Sequence, residues 1–262
     1  MPGADVLVLA GDIGSYQADS LLNSLAIADF GLARFSPLPV ALGGAAWPTP
    51  VLFVPGNHEY DGLDFDDTRR RLRDICTRLG LIWLENEVVL LQGVRFIGST
   101  LWTDFDALSN EQASQTDITL GQQLKAREKA FRAANFYLNK NHALQHGQPM
   151  LAPQVRAEGL RSQAWLRQAL STPFSGPTVA VTHFAPSLLS ADPRYGLTPG
   201  TAGFCNTLDD LFPLAKLWLH GHLHCHNDYM KLGCRVVANP LGYARKGEQA
   251  AWQEALCIKL QV

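Results

Sequence analysis

The chain has 262 residues, of which 47% are hydrophobic and 18% charged, enough for one large core. Its 22 Lys and Arg against 24 Asp and Glu give a net charge of −2, which argues against a mainly electrostatic grip on nucleic acid or on an anionic membrane. No apolar run approaches the roughly 20 residues of a bilayer span, and the five cysteines are scattered without a CxxC pair.

No basic segment followed by an apolar stretch opens the chain, so a soluble, cytoplasmic protein is expected, without a disulfide framework. The first element is "VLVLAGDIG", Val6 to Gly14, an apolar run that stops on Asp12 between glycines. It reads as a buried strand ending in a tight loop. An early helix is expected next, ahead of a Gly- and Pro-containing loop from Ser36 to Pro50. "PTPVLFVPGN" repeats the strand-to-loop pattern. Helical periodicity follows from Asp66 to Leu79, with Leu72, Ile75 and Leu79 on one face and Arg69, Arg70 and Arg71 in solvent. "LIWLENEVVLLQGVRFIGST" reads as short strands with turns. A charged helix begins near Gln122, with Leu124, Phe131, Ala134 and Leu138 along one side; in the helix ending at Leu170, the same reasoning turns Ala157, Leu160 and Ala164 inward. "PTVAVTHFAP" and "AKLWLHGHLH" are two further strands that end in loops, separated by the long loop "SADPRYGLTPGTAGF", and "NDYMKLGCRVVANP" closes the series with short strands. Near-continuous apolar strands of this kind belong in a sheet covered on both faces. No internal repeat or compositional break demands a boundary, so residues 1–262 read as a single domain.

Four strand ends deliver groups that can hold a metal. They are Asp12; Asn57, His58 and Glu59 of "GNHE"; His183; and His220, His222, His224 and His226 of "HGHLHCH". Ligands of open α/β sheets gather beyond the carboxyl ends of strands. Clustered imidazole and carboxylate without thiolate suits Zn, Fe or Mn, and Gly11, Gly56 and Gly221 allow tight turns beside an ion. Singly, each has a plainer reading: Asp12 as a turn or helix cap, "GNHE" as an Asx-turn and helix start, His183 as a satisfied buried histidine. The tract at 220–226 is harder to set aside, because alternation with period two would put its four imidazoles on one face of an extended segment.

Taken together and in this order, "GD", "GNHE", "TH" and "GHxH" resemble the metallophosphoesterase family, also called calcineurin-like. "GSTLWTDF" and "VVANPLGY" are similar to its small bacterial phosphoesterases, and the likeness runs from about Asp5 to Tyr243. The resemblance implies a four-layer α/β/β/α sandwich with two mixed β-sheets and a dinuclear centre. Asp12 would bridge the ions. Asn57, His183 and His222 would complete one, and His224 would contribute to the other. His58 would stand just outside, donating to the substrate phosphate or protonating the leaving alkoxide. Two divalent ions so held activate water and clamp a phosphoryl oxygen.

The family opens with a further Asp-x-His motif, and no Asp-x-His occurs in this sequence. The expectation is therefore a chain missing its first core strand, with one well-liganded ion site and a second that is weakened. His220 and His226 are the candidate extra ligands, although His226 reads first as a surface histidine. A misassigned start, a one-metal enzyme and a degenerate scaffold are the three explanations; the intact "GNHE" and "GHLH" favour the first. The implied function is hydrolysis of a small phosphomonoester or phosphodiester, with a catalytically impaired metal-binding or protein-interaction module as the alternative. Nuclease activity is disfavoured by the balanced charge. Arg194 could offer a guanidinium to phosphate, or lie with Tyr195 in an exposed loop. Trp102, Asp104 and Tyr243 could line the pocket, or serve packing and turns.

Overall fold

In chain order the described residues of a computed structural model (3–15, 29–115 and 117–260) form β1 (Leu7–Ala10), β2 (Val51–Val54), α1 (Phe65–Leu79), β3 (Ile82–Trp83), β4 (Glu87–Leu91), β5 (Val94–Ser99), α2 (Ala107–Gln115), α3 (Leu120–Leu138), β6 (Leu144–Gln145), β7 (Gln148–Pro149), α4 (Ala152–Ser171), β8 (Thr178–Thr182), β9 (Leu217–His220), β10 (Asn227–Lys231) and β11 (Cys234–Ala238). Short 3-10 turns fill several of the connections. The early helix expected ahead of Ser36 falls on residues outside those described. Among the described residues, no helix is long and apolar enough to cross a membrane.

Two sheets face each other. In the smaller one, β1, β2 and β3 run parallel in that order. The larger is mixed, ordered β10-β11-β9-β8-β5-β4, with four parallel central strands and antiparallel β10 and β4 at its edges. Side-chain alternation along the strands builds the layers. Leu52 and Val54 of β2 meet Val179, Val181 and Leu217 of the other sheet in the inter-sheet core. Their neighbours Val51 and Phe53 point the opposite way, onto Leu72, Ile75, Cys76 and Leu79 of α1. On the far side, Ala180 and Trp218 pack with Leu166 and Leu170 of α4. The result is helix, sheet, sheet, helix, as the resemblance implied, although of these two sheets only the larger is mixed: the described strands of the smaller one all run parallel.

Local sequence sets where α1 begins and ends. Asp64 accepts a hydrogen bond from the Asp67 N–H at 3.1 Å, and Gly80 closes the helix at φ 71°, a conformation that only glycine adopts without strain. Leu72, Ile75 and Leu79 are buried as expected. The other two helices depart from their sequence patterns. In α3, Phe131, Ala134 and Leu138 pack against the core, but Leu124 stands in solvent and Ala130 is the buried residue. In α4 the expected face is the wrong one: Ala157, Leu160 and Ala164 are exposed, while Val155, Glu158, Gly159, Ser162, Leu166 and Leu170 are buried. A Cβ on Gly159 would sit 2.6 Å from the Trp102 carbonyl oxygen. The helix is pressed so close to the segment after β5 that small residues are required on that face, and an apolar count passes them over.

Candidate metal centre

Four parallel strands, β1, β2, β8 and β9, end at one place, and their following loops interlock through backbone. A Cβ on Gly11 would lie 2.6 Å from the Gly56 Cα, and one on Gly221 the same 2.6 Å from the Ala10 carbonyl oxygen. The glycines expected beside an ion are thus where chain meets chain. Glu59 ties the first two loops together. One of its oxygens accepts from the N–H groups of Ile13 (2.5 Å) and Gly14 (3.0 Å), the other from those of Asp12 (2.9 Å) and Gly56 (2.6 Å). Burial, then the Asp12 charge, push the Glu59 carboxyl up to about 6 against the pull of those N–H groups.

Asp12 and His222 both sit in the left-handed backbone region, at φ 57° and 63°, which a residue with a side chain rarely adopts. Strain of this kind persists where surrounding structure enforces it, and it gathers at functional sites. His183, fully buried, donates from Nδ1 to the Ala10 carbonyl at 2.7 Å. That bond turns Nε2 toward Asn57 Oδ1 (3.1 Å), Asp12 Oδ2 (3.3 Å) and His222 Nδ1 (3.2 Å). The His222 ring lies between Phe184, 4.1 Å away centroid to centroid, and Phe204, at 5.3 Å. Burial, then the neighbouring His183, hold its pKa well below the usual range, so the ring is neutral.

The donor set fits a divalent cation. Asp12, His183 and His222 each bring a ligand atom within 4.8 Å of the others, and Asn57 adds an amide oxygen beside them. Lone pairs facing one another at these distances repel unless something positive lies among them. Burial opposes a proton on His183, yet Asp12 beside it raises the His183 pKa and so favours the charged ring. Burial likewise opposes ionisation of Asp12, but His183 and His58 outweigh it and hold the carboxyl far below its ordinary value.

His58 stands at the edge of this group. Its backbone N–H donates to Asp12 Oδ1 at 3.0 Å, and its ring Nδ1 meets Asp61 Oδ2 at 2.5 Å. Burial works against the charged ring, but Asp12 and then Asp61 push its pKa up to about 10. The charged form of the imidazole is therefore favoured at neutral pH.

The histidine tract does not run extended. β9 stops at His220, and the chain bends through residues 222–225, so the four rings diverge. His222 joins the cluster and His224 turns its Nδ1 to Glu248 at 2.7 Å. His220 hydrogen-bonds the Gly221 carbonyl, and burial lowers its pKa to about 4. None of His220, His224 and His226 joins the group of Asp12, His183 and His222, so the ligand role expected for His224 is not met by that cluster. Arg194 is committed to protein: it binds Asp192 through Nε (2.9 Å) and Nη2 (2.5 Å), and donates to the His224 carbonyl at 3.2 Å. Tyr195 is exposed. Trp102 is a core residue against Tyr60, Phe65 and Phe184, and Asp104 caps a turn by accepting from the Asp106 N–H at 2.8 Å. Tyr243 does reach the site, its ring edge-on to His224 at 4.7 Å. Two residues passed over in the sequence matter here. Asp61 lies three positions after His58, a spacing that could have been read; Glu248 lies 24 positions after His224, with no local signal.

The family profile described as calcineurin-like phosphoesterase matches residues 2–226. Uncharacterized protein L509 of Acanthamoeba polyphaga mimivirus is 24% identical over 211 residues, covering 75% of this chain and 69% of the relative. Among solved structures, the phosphopantetheinyl hydrolase PptH of Mycobacterium tuberculosis is similar in fold: TM-score 0.59, 22% identity, 93% of this chain and 81% of the other covered.

Proposed function

Because the chain belongs to the calcineurin-like phosphoesterase family, we propose that it hydrolyses a small phosphomonoester or phosphodiester with the help of Mn, Fe or Zn. The observation that carries this reading is the convergence of Asp12, His183 and His222. With Asn57 they would hold one cation, while Asp12 and His224 would face a second, less fully liganded one. Such ions supply Lewis-acid polarisation of a phosphoryl oxygen and a lowered pKa for water. The protein's own part falls to His58 and to the loops. His58, held through Nδ1 by Asp61, would donate from Nε2 to a phosphoryl oxygen and then protonate the departing alkoxide. Glu59 would keep the Asp12 and Asn57 loops at a fixed separation, so that little reorganisation accompanies reaction.

The test is a metal-by-substrate screen. Chelated protein is reconstituted with Mn, Fe or Zn and assayed on an aryl phosphate, a bis-aryl phosphate and a phosphopantetheinyl ester, the last being the group that names the Mycobacterium tuberculosis protein. Metal-restored turnover, abolished by Asp12→Asn and lowered at least about a hundredfold by His58→Gln, is the expected outcome. Bound metal without hydrolysis of any ester would favour the metal-binding module instead.

A further inference from the structure

Beyond the motif residues, the chain from Tyr243 to Ala251 delivers a buried carboxylate to His224. Glu248 is 9% exposed and opens the 3-10 turn Glu248–Ala251. Its Oε2 accepts from His224 Nδ1 at 2.7 Å and from the Tyr243 N–H at 2.8 Å, while Oε1 lies 3.9 Å from both Arg194 Nη2 and Lys246 Nζ. Arg194 links the two sides of the ring: held by Asp192, it reaches Glu248 and also donates to the His224 carbonyl. His224 is therefore fixed both at its backbone and at one ring nitrogen.

A neutral imidazole carries its proton on one nitrogen and a lone pair on the other, and a bond to one end decides which. A carboxylate can only accept, so Glu248 requires the proton on Nδ1 and leaves Nε2 bare. We infer that Glu248 is a positioning residue that sets the His224 tautomer and so leaves Nε2 as the lone pair offered to the second cation proposed above, with Arg194 as the strap that keeps carboxylate and ring in register. The inference rests on the metal reading above and deepens it. Since that position has few protein ligands, it depends more than the first on how well each is oriented.

The experiment uses the whole chain with nitrogen-15 in its histidines, with His224→Ala to assign the ring. In metal-free protein, long-range nitrogen–proton correlation should find His224 as the Nδ1–H tautomer. Glu248→Gln, whose amide oxygen accepts the same bond, should retain it, and remains readable if the alanine variant fails to fold. Glu248→Ala should move the population toward Nε2–H. Calorimetric titration with Mn2+ should then show the weaker of two binding steps loosened about 10–100-fold in Glu248→Ala, with the tighter step unchanged. A His224 tautomer indifferent to Glu248, or two Mn2+ steps that are both unaffected, overturns the inference and leaves the metal reading standing. A wild-type protein that binds no ion, although its tautomer follows Glu248, overturns the metal reading and with it the offer of Nε2 to a cation.

Discussion

Glu59 presents one carboxylate to four backbone N–H groups from two loops. An amide in its place would turn an NH2 toward some of those donors. Glu59→Gln is therefore expected to lower stability by about 3 kcal/mol, since charged hydrogen bonds are lost and buried N–H groups are orphaned. Urea unfolding would measure this, and a loss under about 1 kcal/mol would contradict it. The histidines give two pH signatures. The folded pKa of His58 is about 10 against 6.5 for the free side chain. The folded state thus binds this proton more tightly, and the resulting stability is complete below about pH 6.5 and lost as pH rises through about 10. In chelated protein, Tm should fall over that window, and His58→Gln should flatten the decline. At His183 a metal ion competes with the proton that Asp12 favours there. Metal affinity should then rise with pH and binding should release protons, detectable as a calorimetric heat that varies with the buffer's ionisation enthalpy; a buffer-independent heat would argue against it.

At the scale of elements, α4 shows how packing distance overrides apolar periodicity. Alanine is a better helix former than glycine by about 1 kcal/mol, so propensity alone expects Gly159→Ala to stabilise. The nearness of the Trp102 and Thr103 carbonyls reverses the sign. The variant should be destabilised by about 1–3 kcal/mol through overpacking, with α4 pushed off the segment that holds Trp102 against Phe184. Thermal unfolding decides between the two signs. The strands were easier to read than the helices. Val51 to Val54 is apolar throughout and buried throughout, because a central strand between two packed faces has no polar side to present. In α3 only a narrow strip touches the core, so Leu124 could be exposed without disturbing the pattern that suggested otherwise.

Across the whole molecule, the site is assembled from two sheets that share a core but few backbone hydrogen bonds. β1 and β2 bring Asp12, Asn57 and His58; β8 and β9 bring His183 and His222. An ion gripped from both sides should hold the sheets together. At a free concentration near 100 times its dissociation constant, it adds about 2.7 kcal/mol, which for a chain of this size raises Tm by about 5–10 °C. Scanning calorimetry of chelated and Mn-reconstituted protein would measure the shift. Asp12→Asn should remove it.

By itself the sequence determined the strand ends and the chemistry they carry, because apolar runs terminated by glycine and a ligand-competent residue are local patterns. The layered architecture was implied by the family resemblance that the four short motifs carry. Only the tertiary structure decided which nitrogen of each histidine faces inward and which way the 220–226 tract bends. It alone identified the carboxylates of Asp61 and Glu248 as partners of His58 and His224. The reason is physical: a ring's tautomer and direction are set by whatever stands at its other end, and for His183 and His224 that partner comes from a distant part of the chain.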